Sequence, residues 1–494
     1  MKRIAIMMSL LIVPAFAGWT EPVRISEPGG CLYPQILAQG DTLHVAYQNV
    51  SGGGYIGYVR SSDGGQSWSD FQILNDTIAT AEALFPKIVR YNNNLIVLWI
   101  SYASHGGRRF NVDYSISSDN GLTWMDSYSV FLYNWEYIGF FSAQGSDSVV
   151  SVILNSDQFS ADLVFYSLRS TDFGESWSNP VEIFRAYQSD LTDMAAHDSV
   201  FHFSWGGRFE QGFPWEVHYM RSTDWGITWS DNILMSQSDE YGSYDVSICV
   251  NGDNGVVLVW KDFKYSPYWF TGDIFLRQSP DEGTYWVPES QLTFHHLVWR
   301  GDVESRSDTI FVAWYDGRPE NGGTSIYYIS SADGGLSWSE EYRLDQDEPH
   351  SRHPALAASN GRVYVIWADD RSYPPADIYP GIYFRRYEEG TSIKEESISI
   401  PQAVSLSAYP NPFNTTTVIS FANLDGSDDI KILNILGQVV KTFNILDRKE
   451  GQNGQGQVVW DGTDMGGNPV ASGVYFVKAR GSSGAVTLKL EYLK

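Results

Sequence analysis

The octapeptide Ser61-Ser62-Asp63-Gly64-Gly65-Gln66-Ser67-Trp68 decides how this chain is read, because it comes back. The pattern S-x-D-x-G-x-x-W recurs at Ser117–Trp124, Ser170–Trp177, Ser222–Trp229, Ser279–Trp286 and Ser331–Trp338. Its aspartates, Asp63, Asp119, Asp172, Asp224, Asp281 and Asp333, stand 52 to 57 residues apart. An alternating apolar run precedes each copy, as in Tyr55–Val59 and Ile326–Ile329, and another strand begins at each Trp. Each copy is therefore the turn of a β-hairpin. The Asp carboxylate accepts amides of its own turn, the Gly supplies a positive φ, and the Trp ring ties the turn to the sheet. Asp in a Gly-rich turn is a turn former, so these six are assigned structural, not catalytic, roles.

Each repeat holds more than its turn. Upstream lies a continuous apolar strand: Leu95–Ile100, Val256–Trp260, Ile310–Trp314 and Val363–Trp367. Such runs suit strands buried on both faces. Further upstream is a Pro-led strand, as in Pro34-Gln35-Ile36, Pro86-Lys87-Ile88 and Pro354-Ala355-Leu356. Four strands in about 50 residues is the size of a propeller blade. After the sixth motif come three more strands, His353–Ala358, Val363–Trp367 and Gly381–Tyr387, with no motif behind them. The missing fourth strand is available as Trp19–Ile25 (WTEPVRI), which matches Trp177–Ile183 (WSNPVEI) and Trp338–Leu344 (WSEEYRL). The expectation is an all-β fold, a seven-bladed β-propeller over residues 18–388 that the N-terminal strand closes, which removes exposed edges.

Bulk composition agrees with many short strands and turns. The 494 residues include 18 Trp, 30 Tyr and 45 Gly. The formal net charge of -26 repels phosphate backbones and argues against a nucleic-acid partner. Cys31 and Cys249 fall in distant repeats, so no disulfide scaffold is expected. Residues 1–17 read as a secretory signal: Lys2 and Arg3, an apolar stretch from Ile4 to Val13, and Ala15-Phe16-Ala17 as an A-x-A cleavage site. No later segment has the about 20 apolar residues that a transmembrane helix needs.

The hairpin pattern resembles the Asp box, or BNR repeat, of the sialidase superfamily, over residues 18 to 388. That resemblance implies the propeller, with the boxes at its outer rim. It is less specific for activity, because such boxes also occur in other glycosidases, sorting receptors and assembly factors. Sialidases are six-bladed and carry an F-R-I-P-like segment. Here the nearest segment is Leu32-Tyr33-Pro34-Gln35-Ile36, which lacks the arginine. No sialidase catalytic residue is carried over.

Residues 405–494 resemble a second family, the C-terminal sorting domain of type IX secretion cargo. The carriers are Tyr409-Pro410-Asn411-Pro412-Phe413-Asn414, Ile432–Val440, Trp460-Asp461-Gly462, Val470–Phe476 and Val486–Leu493. The resemblance implies a small immunoglobulin-like β-sandwich, passage through the outer membrane with the type IX machinery as partner, and a secreted or cell-surface destination. Residues 389–404 are polar and charged, as a cleavable linker is.

Ligands of propellers meet the loops around the central channel. Four such loops are rich in aromatic and charged groups: Trp205–Trp215, Lys261–Trp269, Tyr315–Arg318 and Asp369–Tyr379, with Arg108 and Arg109 in the matching loop of the second blade. Rings cover apolar sugar faces and Arg forks hold carboxylates, so Arg208, Trp215, Asp262, Tyr268, Trp269, Arg318, Asp369 and Arg371 are the candidate ligand-binding residues. Against this, Trp205/Arg208, Asp316/Arg318 and Asp369/Arg371 recur at similar places, as architecture does. Asp262, Asp316, Asp369 and Asp370 offer carboxylate pairs for glycoside hydrolysis, which needs two carboxyls roughly 5–10 Å apart. His350 and His353 read as loop histidines, and Asp253, Asp345 and Asp347 as solvated turn carboxylates, so no metal and no cofactor is expected. The function expected is a propeller that binds glycan or extracellular protein, with a sialidase-like glycoside hydrolase as the alternative.

Overall fold

A computed structural model of the chain describes residues 18–493, apart from 52–53, 76–80, 92–93, 104–108, 131–136, 147–148, 157–162, 253–254, 267–270, 319–321, 346–349, 371–379, 389–404, 423–429, 436, 444–455 and 482–483. The expected leader and linker lie outside the described residues. The chain forms two compact units, Met1–Thr391 and Ser392–Lys494. Among the described residues every regular element is a strand, and no helix is long and apolar enough to cross a membrane.

The first unit opens with two short strands, β1 (Gly18–Trp19) and β2 (Val23–Arg24), and continues as antiparallel four-stranded meanders. The first comprises β3 (Cys31–Gln39), β4 (Thr42–Asn49), β5 (Tyr55–Ser61) and β6 (Gln72–Ile73). The second has β7 (Ala81–Tyr91), β8 (Asn94–Ala103), β9 (Arg109–Ser117) and β10 (Tyr128–Ser129). The third has β11 (Phe141–Ser146), β12 (Val149–Ser156), β13 (Leu163–Ser170) and β14 (Val181–Ala186). The fourth has β15 (Gln188–His197), β16 (Val200–Arg208), β17 (Glu216–Ser222) and β18 (Ile233–Leu234). The fifth has β19 (Ser243–Asn251), β20 (Gly255–Asp262), β21 (Asp273–Ser279) and β22 (Ser290–Gln291). The sixth has β23 (Val298–Arg306), β24 (Thr309–Asp316), β25 (Ser325–Ser331) and β26 (Tyr342–Arg343). A last sheet has β27 (Ser351–Ser359), β28 (Arg362–Asp369) and β29 (Gly381–Glu388), and β1 and β2 both pair with β29.

The leading strands pack in chain order, β3 on β7, β7 on β11, β11 on β15, β15 on β19, β19 on β23 and β23 on β27, and β27 packs back on β3. Each second strand is thereby covered on both sides, which is why it reads as a continuous apolar run. Trp99, Trp205, Trp260, Trp314 and Trp367 occupy equivalent places there and are essentially inaccessible to solvent. Ala46 and Tyr58 of one sheet share a core with Val97 and Trp99 of the next, so the sheets hold one another through side chains that neither buries alone.

The repeated turn has the chemistry expected of it. Asp63 accepts the Gln66 and Ser67 amides at 2.9 Å, and the Ser61 hydroxyl reaches both Asp63 and the Gly65 amide at 2.8 Å. Asp119, Asp172, Asp224, Asp281 and Asp333 accept the amide four residues on in the same way. The Trp does something the sequence did not show. Its ring leans across the sheet boundary, edge-on to the third strand of the neighbouring sheet: Trp124 on Tyr58, Trp177 on Tyr114 and Trp286 on Tyr219. The short fourth strand offers little surface of its own, so the ring finds cover next door. Gly121, at φ 79°, shows why the turn needs glycine: a Cβ there would sit 1.9 Å from the Tyr58 hydroxyl.

At the N-terminus, Gly18 pairs with Glu388, Trp19 with Tyr387 and Val23 with Phe384. Two further bonds, the Thr20 amide to the Arg386 carbonyl (3.0 Å) and the Ile25 amide to the Ile382 carbonyl (2.8 Å), repeat those of Ser69 to Arg60 and Leu74 to Ile56. Residues 19–25 thus stand on their sheet as residues 68–74 stand on theirs. Cys31 and Cys249 are buried and unbridged.

The second unit is a sandwich. One face is β30 (Ser405–Tyr409), β31 (Thr417–Ala422) and β34 (Gly456–Trp460). The other is β32 (Ile430–Asn434), β33 (Val439–Phe443), β35 (Gly473–Gly481) and β36 (Gly484–Tyr492). Phe413, Ile419, Trp460, Val477 and Leu490 fill the space between them.

Candidate functional site

Six leading strands slip register once near their start: between Leu32 and Gln35, Leu84 and Lys87, Ser189 and Thr192, Tyr244 and Ser247, Val298 and Arg300, and Arg352 and Ala355. Tyr33, Phe85, Asp245 and His353 take a positive φ of 49 to 54° at these slips. A bulge re-aims a side chain, and the consequence is convergence. Tyr33 stacks on His353 at 4.4 Å and meets Phe85 edge-on at 4.7 Å, although the three come from different sheets. Phe140 extends this apolar half beyond Phe85.

The other half is charged. Lys261 on β20 bonds Asp245 on β19 at 2.5 Å, and its ammonium lies 5.6 Å from the Tyr244 ring centre and 5.3 Å from that of Phe263. Burial, and then the Asp245 charge, push Asp190 up to about 6, against the Leu191 amide and the charges of Lys261 and Arg300. Burial, then Asp245, push Tyr315 up to about 12. Burial, then the charges of Arg300 and Arg352, push His353 down to about 3, so its ring is neutral at physiological pH. Asp190, Asp245, Arg300, Tyr315 and His353 therefore feel one another although they come from four sheets.

Further along the same strands the passage is sealed. Lys87 pairs with Asp193 at 3.3 Å, and the Ser247 hydroxyl links Asp193 (3.3 Å) to Asp302 (2.8 Å). Asp193 accepts the Ile248 amide at 3.1 Å and Asp302 the Leu356 amide at 2.8 Å. Each carboxylate satisfies an amide on the free edge of the neighbouring leading strand, which has no ladder partner on that side. The cavity lined by Tyr33, Phe85, Lys87, Thr192, Arg300 and His353 is only about 40 Å³. That is room for little more than water.

The residues picked from sequence divide into three groups. Arg208 and Trp215 join the mouth: Arg208 lies over Trp215 and Tyr187, and Trp215 stacks on Tyr244, which continues to Phe263. Asp262, Asp316 and Asp369 are buried and held alike, each accepting the indole N–H of the Trp two residues before it at 3.1 to 3.2 Å. Asp262 and Asp369 stand in sheets separated by the β23–β26 sheet. Arg318 is buried between Asp316 (2.9 Å) and Glu341 (2.7 Å), over the Tyr327 ring. Asp370 pairs with Arg352 at 3.0 Å. Arg108, Tyr268, Trp269, Arg371, Asp253 and Asp347 lie outside the described residues. Asp345 is buried and bonded to Arg343 at 2.9 Å, not solvated. Among the described residues no cluster of three or more His, Cys, Asp or Glu suits a metal ion.

Sequence reading missed Asp190, Asp245 and Arg300; Tyr315 opens one of the loops it named, and His353, read both as the start of a strand and as a loop histidine, lies on β27 at the bulge. One signal was present: aromatic-Pro at Tyr33-Pro34 and Phe85-Pro86, and His353-Pro354, mark the slip in three repeats. It also missed Glu216, half of whose carboxyl bonds Ser236 at 2.5 Å and which burial raises to about 7, with Asp239 and Asp262 adding repulsion.

Residues 413–485 match the FlgD Ig-like domain family. No curated protein matches the chain at a significant level. Among solved structures, a polysaccharide lyase of family PL25, an ulvan lyase bound to a GlcA–Rha3S glycan, shares 12% identity at a TM-score of 0.52, over 74% of this chain and 95% of that one. The GH93 α-L-arabinofuranosidase of Fusarium graminearum shares 14% at a TM-score of 0.47, over 74% and 97%. The Hadza microbial sialidase Hz136 shares 16% at a TM-score of 0.41; the comparison covers 58% of this chain and 63% of the sialidase. At such identities the likeness to the lyase is one of fold. The first unit is thus an all-β assembly of four-stranded sheets with propeller-fold relatives, and the second carries an immunoglobulin-like domain.

Proposed function

We propose that this chain is an exported, seven-bladed propeller that binds carbohydrate across the mouth where its leading strands converge. The observation that carries the reading is the joining there of a charged half, Arg300 with the Lys261–Asp245 ion pair, to a broad aromatic surface of Tyr33, Tyr244, Phe263 and Trp215. Rings suit the apolar faces of sugars, and fixed cations suit carboxylate or sulfate substituents. The ulvan lyase of similar fold is bound to such an acidic glycan, which agrees with this choice of ligand. The seven-blade count rests on the closed order in which the leading strands pack, and on residues 19–25 completing the last sheet. Export rests on the leader-like residues 1–17. The C-terminal unit is read as a type IX sorting domain on its sequence motifs, and the Asp-box reading of the turns rests on theirs.

One observation favours a second reading, hydrolysis. Asp190, which burial and the neighbouring Asp245 charge hold near 6, keeps a proton of the kind a general acid must donate. A panel of neutral, uronate-containing and sulfated oligosaccharides, scored for binding by calorimetry and for new reducing ends, tests both. Binding without turnover supports the first reading. Turnover abolished by Asp190→Asn supports the second. Neither binding nor turnover with any acidic glycan contradicts both.

A further inference from the structure

In most sheets of the first unit, the S-x-D-x-G-x-x-W turn of one sheet sits on its neighbour, in a seat with three recognisable parts. A third-strand aromatic forms the floor, as Tyr58 does under Gly121 and Tyr219 under Gly283. Two residues further along that strand, a long polar side chain reaches up to the turn: Arg386 donates to the Gly64 carbonyl at 2.8 Å and Arg221 to the Glu282 carbonyl at 2.8 Å. The end of the leading strand makes the wall, as where the Tyr91 hydroxyl donates to the Thr171 carbonyl at 3.2 Å. The last sheet takes its fourth strand from the N-terminus and has no such turn between β29 and Trp19. The corresponding seat on the β23–β26 sheet is a hollow of about 780 Å³. Its floor is Tyr328, and Arg306 stands at the wall position. The position of Arg221 and Arg386 holds the short Ser330, which leaves the hollow open. Trp19 already fills the ring site against Tyr328 at 4.9 Å.

We propose that this hollow is a docking site for an acidic, glycine-containing peptide turn presented by a partner protein. The shape follows from what equivalent seats hold elsewhere in the same molecule: two residues near φ 70 to 83°, as Gly64 and Gly65 are, with an aspartate just before them. The charge follows from Arg306, which is exposed and has no ion-pair partner among the described residues, in a chain of net charge -26. An aspartate-bearing turn supplies the missing counter-charge, while Glu340 on the rim disfavours a more acidic ligand.

The test uses the full chain and a backbone-cyclised peptide with the sequence of residues 61–67, omitting Trp68 because Trp19 holds that place. Saturable perturbation of Trp19 fluorescence is expected. Affinity should fall by about tenfold or more in Ser330→Trp, which fills the hollow, and in Arg306→Glu, which reverses its charge on an exposed side chain. The peptide carrying Asp63→Lys should bind more weakly than its parent. Should Ser330→Trp fail to fold, as its melting curve would show, Arg306→Glu decides alone. Absence of saturable binding, equal affinity in Arg306→Glu, or displacement of the peptide by oligosaccharides would overturn the proposal.

Discussion

The ring of Trp19 stands edge-on to Tyr328, 4.9 Å between centroids at an interplanar angle of 81°. Trp124 meets Tyr58 at 4.8 Å and 71°, and Trp286 meets Tyr219 at 4.8 Å and 72°. A residue at the very start of the described chain thus makes, with a sheet more than 300 positions away, the contact that elsewhere joins sequence neighbours. Joining chain ends in this way removes two exposed sheet edges at once.

Removing that ring should loosen the whole first unit and not merely fray its start. Trp19→Ala is expected to cost about 3 kcal/mol in urea unfolding, the lower end of the range for deleting a packed aromatic, because the ring is only part-buried. Trp286→Ala, at the matching contact, should cost a similar amount. A loss confined to local hydrogen exchange at residues 18–25, with global stability unchanged, would contradict this.

The turn aspartates should set the acid limit. Hydrogen bonds from the Thr123 side chain and amide and from Ser117 hold Asp119 at about 2, below its ordinary 3.8. A depressed folded pKa means the contribution is present above 3.8 and lost as pH falls through about 2. Asp119→Asn should therefore be less stable than the parent at pH 6 and approach it at pH 2, by thermal melts across that range.

Glu304 should act in the opposite direction. Burial, then the charges of Asp302 and Asp193, raise it to about 8 despite the Ser305 amide. Its folded pKa lies above the unfolded one, so stability is complete below 4.5 and declines as pH rises through about 8. Glu304→Gln should match the parent at pH 4 and be clearly the more stable of the two at pH 9. A parent that gains stability over that interval, once the other carboxylates have ionised, would refute the assignment.

At the mouth, the Asp190 proton should be visible in ligand binding. With its carboxyl near 6, affinity for an acidic glycan should weaken as pH rises from 5 to 7 and the site gains negative charge. Asp190→Asn should flatten that dependence. Titration calorimetry at three pH values checks it.

How much of this was legible depends on whether the information is local. Ser61, Asp63, Gly65 and Ser67 satisfy one another within seven residues, so the hairpin announces itself. The closing strand was legible because Trp19, Val23 and Ile25 repeat the ring and apolar spacing of Trp338 to Leu344. The apolar second strands were legible because both faces are covered. Asp316 and Asp369 were visible as a recurring Asp/Arg pattern; the shared Trp–Asp bond that ties them, and Asp262 with them, into the packing was not read. The mouth was legible only in part: Arg208, Trp215, Lys261 and Tyr315 fall in loops named from the sequence. At the bulges different repeats contribute different side chains, Tyr33, Phe85, Asp245, Arg300 or His353, and a register slip decides where each points. No spacing rule links residues that meet only once the sheets have assembled. The direction of the Trp ring, across the boundary instead of onto its own sheet, escaped for the same reason.

The central claim, that carbohydrate is held at the convergence of the leading strands, is tested most directly by titrating an acidic oligosaccharide into the parent protein, Arg300→Ala and, as a control, Arg185→Ala. Arg185 is exposed and paired with Glu182. The account predicts that Arg300→Ala lowers affinity by about tenfold or more while Arg185→Ala leaves it unchanged. Equal affinity in all three proteins would contradict it.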